Sequence, residues 1–419
     1  MRIVALDVGS SSVRAVAYGE DAKPEPGDAH LPYTSYDADE LVDACRAVLA
    51  HVGPGDALAL SCFWHSLLPL DEHERPLSPV LTWRDVTGEP PPLDPAAYHR
   101  RTGCFLHPSF WPAKLGGLAA ARYVSFADYL LLRLTGELVT SVSMASGTGV
   151  FDPNRLAWDG ETLAAVDVNE AQLPTVSDEQ VATVWPALGD GACSNVGSGC
   201  VGPGRAAVTI GTSAAARVVY EAASAEPKPG LFLYRLDARR FCEGGALSDG
   251  GNLHAWLRLT LSEAEPTDLP DHGLTFLPFL GGERSLGWNV HRHGLIDGLT
   301  FATTPGEIVQ AALEGVAYRL ADVLDAIGGL ESVAATGHAA LVNDMWLQIL
   351  ADVLGRPIEV SGEAEGSARG AAVVALERAG ISVPAAPVAR VVQPRPERFE
   401  FHSAAREEQR RLMRSQEAT

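Results

Sequence analysis

One pattern occurs twice in this chain, at a spacing close to half its length. Residues 3–7 and 13–18 form two short apolar runs on either side of a turn at Gly9. The same order returns in residues 206–220, where Gly211 stands 202 positions after Gly9. Apolar runs that flank a glycine turn are typical of β-hairpins. The chain is therefore expected to fold as two related lobes, each of which opens with a hairpin.

The length of the chain agrees with this organisation. Its 419 residues exceed what one ordinary core accommodates, and they suit two domains of about 200 residues each. The spacer Gly202-Pro203-Gly204 marks the expected boundary, so the predicted domains are 1–203 and 204–419. Aligning the two turn glycines also places Tyr18 on Tyr220.

The charge of the chain limits its partners. Lys and Arg number 32 against 53 Asp and Glu, a net charge of −21. Because such a surface repels phosphate backbones and anionic lipid, nucleic acid and membrane are not expected as partners. ATP remains compatible, since backbone N–H groups and a metal can hold its phosphates. No long apolar run or signal peptide is recognised, and six scattered cysteines without a C-x-x-C pair fit a reducing cytoplasm.

Both hairpin tips combine glycine with hydroxyl side chains. The residues concerned are Gly9, Ser10, Ser11 and Ser12 in the first tip and Gly211, Thr212 and Ser213 in the second. Glycine lets backbone N–H groups approach a phosphate, and hydroxyls donate to its oxygens. Two such tips facing each other across a cleft would hold a triphosphate, whereas a tip without a ligand is simply a tight turn. Asp7, which has Thr209 as its counterpart, is suited to holding Mg²⁺ through water.

The hairpins and the segments that follow them resemble the FGGY family of carbohydrate kinases over nearly the whole chain. The most specific match is residues 294–299 followed, after seven residues, by 307–314, which resembles the second signature of the family. Residues 63–66 resemble its sugar-contact strand, and Gly189-Asp190-Gly191 resembles the motif of its catalytic aspartate. Within the family, residues 282–289 are most similar to gluconate kinases.

The resemblance implies an α/β fold with two actin-like (ribonuclease H-like) lobes and a cleft between them, as in the superfamily of sugar kinases, chaperone ATPases and actin. It implies ATP-dependent phosphorylation of a sugar or sugar-acid hydroxyl with Mg²⁺, and it favours a gluconate-like substrate. The first lobe would hold sugar and metal, and the second the nucleotide. A kinase for xylulose, glycerol or another polyol is the alternative within the class. A nucleotide-binding ATPase, a sensor or a pseudokinase without sugar turnover is the alternative from another class. A homodimer is compatible with the resemblance.

The resemblance assigns catalysis to Asp190. It makes this carboxylate the general base that takes the proton of the attacking hydroxyl, and a second metal candidate beside Asp7. The position of Asp190, between two glycines and before a run of small residues, also suits an aspartate that caps a helix.

Five residues are candidates for contact with the sugar. The resemblance places Trp64 and His65 there, although a buried strand aromatic and a satisfied core histidine explain them equally well. Trp83 and Asp85 are weaker candidates. Lys114, one of three lysines in the chain, would favour an anionic sugar acid; the alternative is an exposed, solvated lysine.

The adenosine end is expected in residues 335–343. Gly337 would let the backbone approach the nucleotide, and His338 and Asn343 would lie beside it. His338 departs from the family, which usually has a second glycine there, so its side chain would crowd or stack on the adenine.

Overall fold

The computed structural model describes residues 1–417. Up to residue 197 the elements are β1 (Ile3–Val8), β2 (Ser12–Tyr18), β3 (Ala29–Pro32), α1 (Ala38–Val52), β4 (Ala57–Cys62), β5 (Leu68–Leu70), α2 (Pro95–Thr102), α3 (Trp111–Leu115), β6 (Arg122–Val124), α4 (Phe126–Thr135), β7 (Val139–Thr140), α5 (Val142–Ser146), β8 (Phe151–Asp152), β9 (Ala157–Trp158), α6 (Gly160–Ala165), a short 3₁₀ helix (Glu170–Gln172), β10 (Thr175–Val176), β11 (Leu188–Gly189) and α7 (Asp190–Gly197).

The remaining elements begin at residue 205. They are β12 (Arg205–Ile210), β13 (Ala214–Glu221), β14 (Phe232–Arg235), β15 (Arg240–Leu247), α8 (Gly251–Thr260), β16 (Thr275–Leu277), β17 (Leu295–Asp297), α9 (Pro305–Ile327), β18 (Ser332–Thr336), α10 (His338–Leu341), α11 (Asp344–Leu354), β19 (Ile358–Ser361), α12 (Gly366–Arg378), β20 (Val388–Val392) and α13 (Pro396–Glu417). No helix within residues 1–417 is long and apolar enough to cross a membrane.

The first lobe is built on a five-stranded sheet in the order β11-β4-β1-β2-β3. Its central strand β1 pairs with β2 in antiparallel and with β4 in parallel. Residues 3–6 of β1 are buried on both faces of the sheet, so helices must cover both faces. Helices α1 and α12 pack against these strands.

The second lobe contains a seven-stranded sheet in the order β14-β15-β13-β12-β18-β19-β20. Its longest covering helix is α9, whose start is fixed by a capping box between Thr304 and Glu307 and by Pro305 in the first turn. Helix α9 packs against β13 and β15, and α11 packs against α9. Apolar side chains from these elements form a core separate from that of the first lobe.

Helix α12 joins the two halves of the chain. It lies late in the sequence, yet it packs on α7, β1 and β4, and its buried side chains belong to the core of the first lobe. Glycines allow this approach: a Cβ at Gly197 would lie 1.8 Å from the Gly366 carbonyl oxygen, and one at Gly370 would lie 1.9 Å from the Cys193 carbonyl oxygen. The second half of the sequence therefore completes the core of the first, and the division at residues 203 and 204 stays a prediction.

The two hairpins differ by one residue in the length of the turn that joins their strands. In the first hairpin Val8 pairs with Val13, and in the second Ile210 pairs with Ala214. The first tip is thus one residue longer. The alignment of Tyr18 with Tyr220 is therefore wrong by one position, because this extra residue shifts β2 relative to β13.

Candidate active site

The cleft between the lobes holds a cavity of about 110 Å³. Both lobes line it. The first contributes Ser10, Phe63, Trp64, His65, Trp83 and Asp190, and the second contributes Ser213, Ala215, Arg217, Phe232, Tyr234, Ala246 and Arg284. The structure therefore brings together six of the residues selected from the sequence.

Asp190 lies at the start of α7, directly after the strand that ends at Gly189. The N-cap position belongs to Gly189, and the Asp190 carboxylate does not cap the helix; its Oδ1 accepts a hydrogen bond of 2.7 Å from the Gly191 N–H. Burial raises the pKa of Asp190, and the Arg217 guanidinium partly offsets this rise. A carboxylate with a raised pKa is a better proton acceptor than an exposed one.

Asp7 provides a second carboxylate beside Asp190. Its Oδ1 accepts a hydrogen bond of 2.7 Å from the Ser61 hydroxyl, which stands next to it on β4. Burial raises the pKa of Asp7 to about 7; the Ser61 hydrogen bond lowers this pKa, and the Asp190 charge raises it further. Two neighbouring, partly buried carboxylates suit a divalent cation, which one or two carboxylates commonly hold.

The donor set fits Mg²⁺ better than a metal held by protein alone. Within residues 1–417, no group of three or more His, Cys, Asp or Glu side chains is placed to hold a metal. Mg²⁺ keeps several waters and is commonly bound by one or two carboxylates together with substrate phosphates. Asp7 and Asp190 supply that number.

Trp64 is fixed in place by glycines. A Cβ at Gly189 would lie 1.9 Å from Trp64 Cε2, and one at Gly147 would lie 2.5 Å from Cδ1. The indole Nε1–H donates to the Ser143 carbonyl at 3.0 Å, and the ring meets Tyr234 edge-on with centroids 5.0 Å apart. The rigid indole therefore forms one wall of the cavity.

His65 is held in a single tautomer. Its Nδ1 lies 2.6 Å from the Gly147 carbonyl oxygen, and because a carbonyl only accepts, Nδ1 carries the proton. Burial and the Arg284 charge hold the pKa of His65 well below its usual value. The ring is therefore neutral, and Nε2 is left as an acceptor for a hydroxyl. The backbone of His65 has φ = +68°, a sparsely populated conformation that is found often at functional sites.

The hairpin tips leave backbone donors free. The Gly9 N–H is used inside its turn, on the Ser12 carbonyl at 3.0 Å, and the Gly211 N–H is used on the Ser213 carbonyl at 2.9 Å. Within residues 1–417, no hydrogen bond is made by the next N–H groups along each tip, those of Ser10, Ser11, Thr212 and Ser213. Successive free N–H groups at a tip form an anion-binding surface.

Comparison with known proteins decides the family. Residues 117–192 match the N-terminal domain of the FGGY family of carbohydrate kinases, and residues 206–378 match its C-terminal domain. A xylulose kinase of Streptomyces rubiginosus is 32% identical over 80% of this chain and 77% of its own. The chain belongs to the FGGY family of carbohydrate kinases.

Other members of the FGGY family are similar along most of the chain. A gluconokinase of Bacillus subtilis is 26% identical over 90% of this chain and 88% of its own. The crystal structure of a gluconate kinase from Lactobacillus acidophilus superposes with a TM-score of 0.86 at 23% identity, covering 99% of this chain and 98% of its own. The predicted two-lobed α/β fold and carbohydrate kinase class are confirmed.

The nucleotide candidates of the FGGY fold lie where β12 and β18 end side by side. Gly337 has φ = +86°, and a Cβ there would lie 2.7 Å from the Ile210 carbonyl oxygen, so this position requires glycine. His338 is exposed at the start of α10. Asn343 caps α11, its side chain accepting from the Trp346 N–H at 3.0 Å. The role of these residues toward the nucleotide stays a prediction.

Two sugar candidates do not reach the cavity. Lys114 is 7% exposed, and its Nζ donates to the carbonyl oxygens of Ser109 (2.7 Å), Thr82 (2.6 Å) and His65 (3.3 Å). It is neither a solvated lysine nor a cation of the cavity, because carbonyls take up its three donors. Asp85 is exposed and accepts from the Thr82 N–H at 2.5 Å, which closes a local turn.

Sequence reasoning missed three polar residues of the second lobe that line the cavity. Arg217 and Arg284 bring positive charge, and the buried Tyr234 hydroxyl has no hydrogen-bond partner in the part of the chain that the structure describes. One signal was available: Arg217 is a single charge within an apolar strand, Ala214 to Tyr220. Tyr234 and Arg284 carry no such signal, because their approach to the first lobe depends on the three-dimensional fold.

Proposed function

We propose that this kinase transfers the γ-phosphoryl group of ATP to a hydroxyl of a small sugar or sugar acid in the interlobe cavity, with a gluconate-like acceptor favoured. The observation that carries this proposal is the meeting of the partly buried Asp190 carboxylate with Ser10 and Ser213, one residue from each hairpin tip, in one cavity. In this proposal the sugar would bind beside the phosphate, and closure of the lobes would exclude water, which otherwise competes as the acceptor.

Asp190 would act as the base. It takes the proton of the sugar hydroxyl as that oxygen bonds to the γ-phosphorus, and the bond to the β–γ bridging oxygen breaks to release ADP. His65 Nε2 would accept from a second hydroxyl, and the Tyr234 hydroxyl would donate to a third. The Trp64 indole would limit the motion of the carbon chain.

Asp7 and Asp190 would hold Mg²⁺, which neutralises charge on the phosphates when bound. The free N–H groups of the two tips would hold the phosphate oxygens. Residues 204–419 would then supply the nucleotide lobe and 1–203 the sugar lobe, with α12 returning to the latter. A homodimer stays a prediction.

ADP release over a panel of aldonic acids, ketoses and polyols tests the proposal. One acceptor should stimulate ADP release, and Asp190→Ala should lower turnover roughly 10²–10⁴-fold in a folded protein. Asp43→Ala, which removes a carboxylate on the outer surface of α1 with 75% of its side chain exposed, is the matched control. Sugar-independent hydrolysis would favour a sensor, and absence of both turnover and ATP binding would favour a pseudokinase. Unchanged turnover of Asp190→Ala would contradict the base assignment.

A further inference from the structure

One cation of the interlobe cavity forms no ion pair with the residues that the structure describes. Arg284 is 8% exposed, and its buried Nε has no hydrogen-bond partner among residues 1–417. No carboxylate within residues 1–417 forms an ion pair with it. Its sequence neighbour Glu283 instead pairs with Arg319 at 2.9 Å and with Arg292 at 3.0 Å. A buried charge without a partner is unfavourable in the free protein, so its presence needs a reason.

The place of Arg284 supplies that reason. Its guanidinium lies over the ring of Trp83, 5.2 Å from the centroid, and near that of Trp288, at 5.9 Å. Arg284 lines the cavity that contains Asp190, and it also lines a neighbouring cavity of about 500 Å³. Trp83 is common to both cavities as well. The guanidinium thus lies between the two cavities and lines both.

The balance of charge in the small cavity points to an anion. Among the described residues that line it, Asp190 is the one carboxylate and stands against two arginines, Arg217 and Arg284. This local excess of positive charge occurs in a protein whose net charge is −21. Arg217 is already engaged, since its Nη1 donates to the Thr209 hydroxyl at 3.3 Å and its charge is the main one that lowers the pKa of Asp190. Arg284 therefore remains for a ligand.

We propose that Arg284 receives the carboxylate of the acceptor, which makes an aldonic acid the preferred substrate and a neutral polyol or ketose a poor one. This inference rests on the proposed function. A guanidinium binds a carboxylate through two parallel N–H···O bonds, which adds geometric selection to charge. Binding would also supply the partner that the buried cation lacks. The acceptor would then lie with its carboxylate at Arg284 and its reacting hydroxyl at Asp190.

A pair of acceptors that differ in charge tests this assignment. D-Gluconate and D-glucitol share a six-carbon polyhydroxy chain, and only gluconate carries a carboxylate. The wild type should have the higher kcat/KM for gluconate. Arg284→Met should lower that value roughly 10²-fold through a rise in KM, and the value for glucitol should change less than threefold. Arg284→Lys should recover part of the loss because it restores the charge without the second hydrogen bond.

Arg84→Met is the matched control. This arginine lies over the same Trp83 ring, 5.1 Å from its centroid, but is exposed. Its removal should change both kcat/KM values less than threefold. An equal loss for gluconate and glucitol in Arg284→Met, or a wild-type preference for glucitol, would overturn the role of Arg284 and leave the kinase proposal standing. A wild type that releases no ADP with any acceptor would instead overturn the proposed function.

Thermal unfolding separates binding from folding. Without substrate, Arg284→Met should melt no lower than the wild type, because the substitution removes an unpaired buried charge. Gluconate should raise the melting temperature of the wild type and not that of Arg284→Met. An equal rise in melting temperature with gluconate in both proteins would contradict the proposal. In Arg284→Lys, which keeps a cation at the site, gluconate should raise the melting temperature by less than in the wild type.

Discussion

The two lobes present the same backbone arrangement to the cleft with different side chains on it. In the first, Asp7 on β1 stands beside Ser61 on β4, and the Ser61 hydroxyl donates to the carboxylate at 2.7 Å. At the same register positions in the second, Thr209 on β12 stands beside Thr336 on β18, and their hydroxyls are 2.8 Å apart. Both sheets hold a hydrogen-bonded pair of polar side chains at this position. The lobes differ in chemistry because the first has a carboxylate, Asp7, where the second has a hydroxyl, Thr209.

Charge is divided between the lobes in the same way. The acids of the cleft, Asp7 and Asp190, come from the first lobe, and the cations, Arg217 and Arg284, come from the second. Among the described residues that line the cavity, the carboxylate thus comes from one lobe and both guanidinium groups from the other. The raised pKa of Asp190 is moderated by Arg217 from across the cleft, so the ionisation of the base depends on the lobes being together.

The largest effect in this comparison is expected from removing the negative charge of Asp7, the residue that corresponds to Thr209 of the second lobe. Asp7→Asn keeps the shape of the side chain and removes its charge, so it should lower Mg²⁺-dependent turnover by roughly 10²-fold or more. Thr209→Val removes the hydroxyl at the corresponding position of the other lobe and should lower turnover less than tenfold. Steady-state kinetics over a Mg²⁺ titration measures both. Similar losses in the two variants would show that the lobes do not divide metal and phosphate binding.

A smaller effect tests whether the lobes are independent. Gly370→Ala adds a Cβ 1.9 Å from the Cys193 carbonyl oxygen, whereas Gly366→Ala adds one that meets its nearest atom, the Ser194 carbonyl oxygen, at 3.6 Å. The first should destabilise the protein by about 1–3 kcal/mol through overpacking, and the second should have little effect. Because the Ser367 hydroxyl donates to the Asp190 carbonyl oxygen at 3.3 Å, displacement of α12 should also lower turnover. Thermal unfolding and kcat measure the two effects. Equal melting temperatures would contradict this account of the packing of α12.

The sequence was sufficient for features that are local or repeated. The hairpins, their glycine tips and Asp190 between two glycines are recognisable because each depends on a few consecutive residues. Lys114 was misleading because its burial depends on carbonyls up to 49 positions away, such as that of His65. Arg284 was overlooked as a cavity residue because its approach to Trp83, about 200 positions earlier, depends on how the lobes meet.

The role of α12 was also beyond sequence reasoning. A run of small residues from Gly366 to Ala372 predicts a helix able to pack closely, but it does not say against which lobe. That choice depends on Gly197 and Gly370, which let α12 and α7 approach to backbone contact. The hairpin repeat at half the chain length therefore predicted the two lobes. It did not predict that α12, from the second half of the chain, packs in the core of the first lobe.

The smallest expected effect comes from removing the Ser61 hydroxyl, which donates a hydrogen bond to Asp7, while the Asp7 carboxylate itself is kept. Ser61→Ala removes the hydroxyl that donates to Asp7 and orients its carboxylate; groups that orient a metal ligand are typically worth 10–100-fold in metal affinity. The Mg²⁺ concentration for half-maximal turnover should therefore rise about tenfold, with kcat at saturating Mg²⁺ nearly unchanged. Thr336→Val removes the hydroxyl at the corresponding position of the second lobe, beside Thr209 rather than a carboxylate. It should leave the Mg²⁺ requirement unchanged and lower stability by about 1 kcal/mol. If both variants shift the Mg²⁺ requirement alike, the hydroxyls act through the sheets and not through Asp7. A shift in the Mg²⁺ requirement that occurs only in Ser61→Ala would show that the side-chain pair supports metal binding in the first lobe alone. The reason is that only the first lobe has a carboxylate, Asp7, beside the hydroxyl.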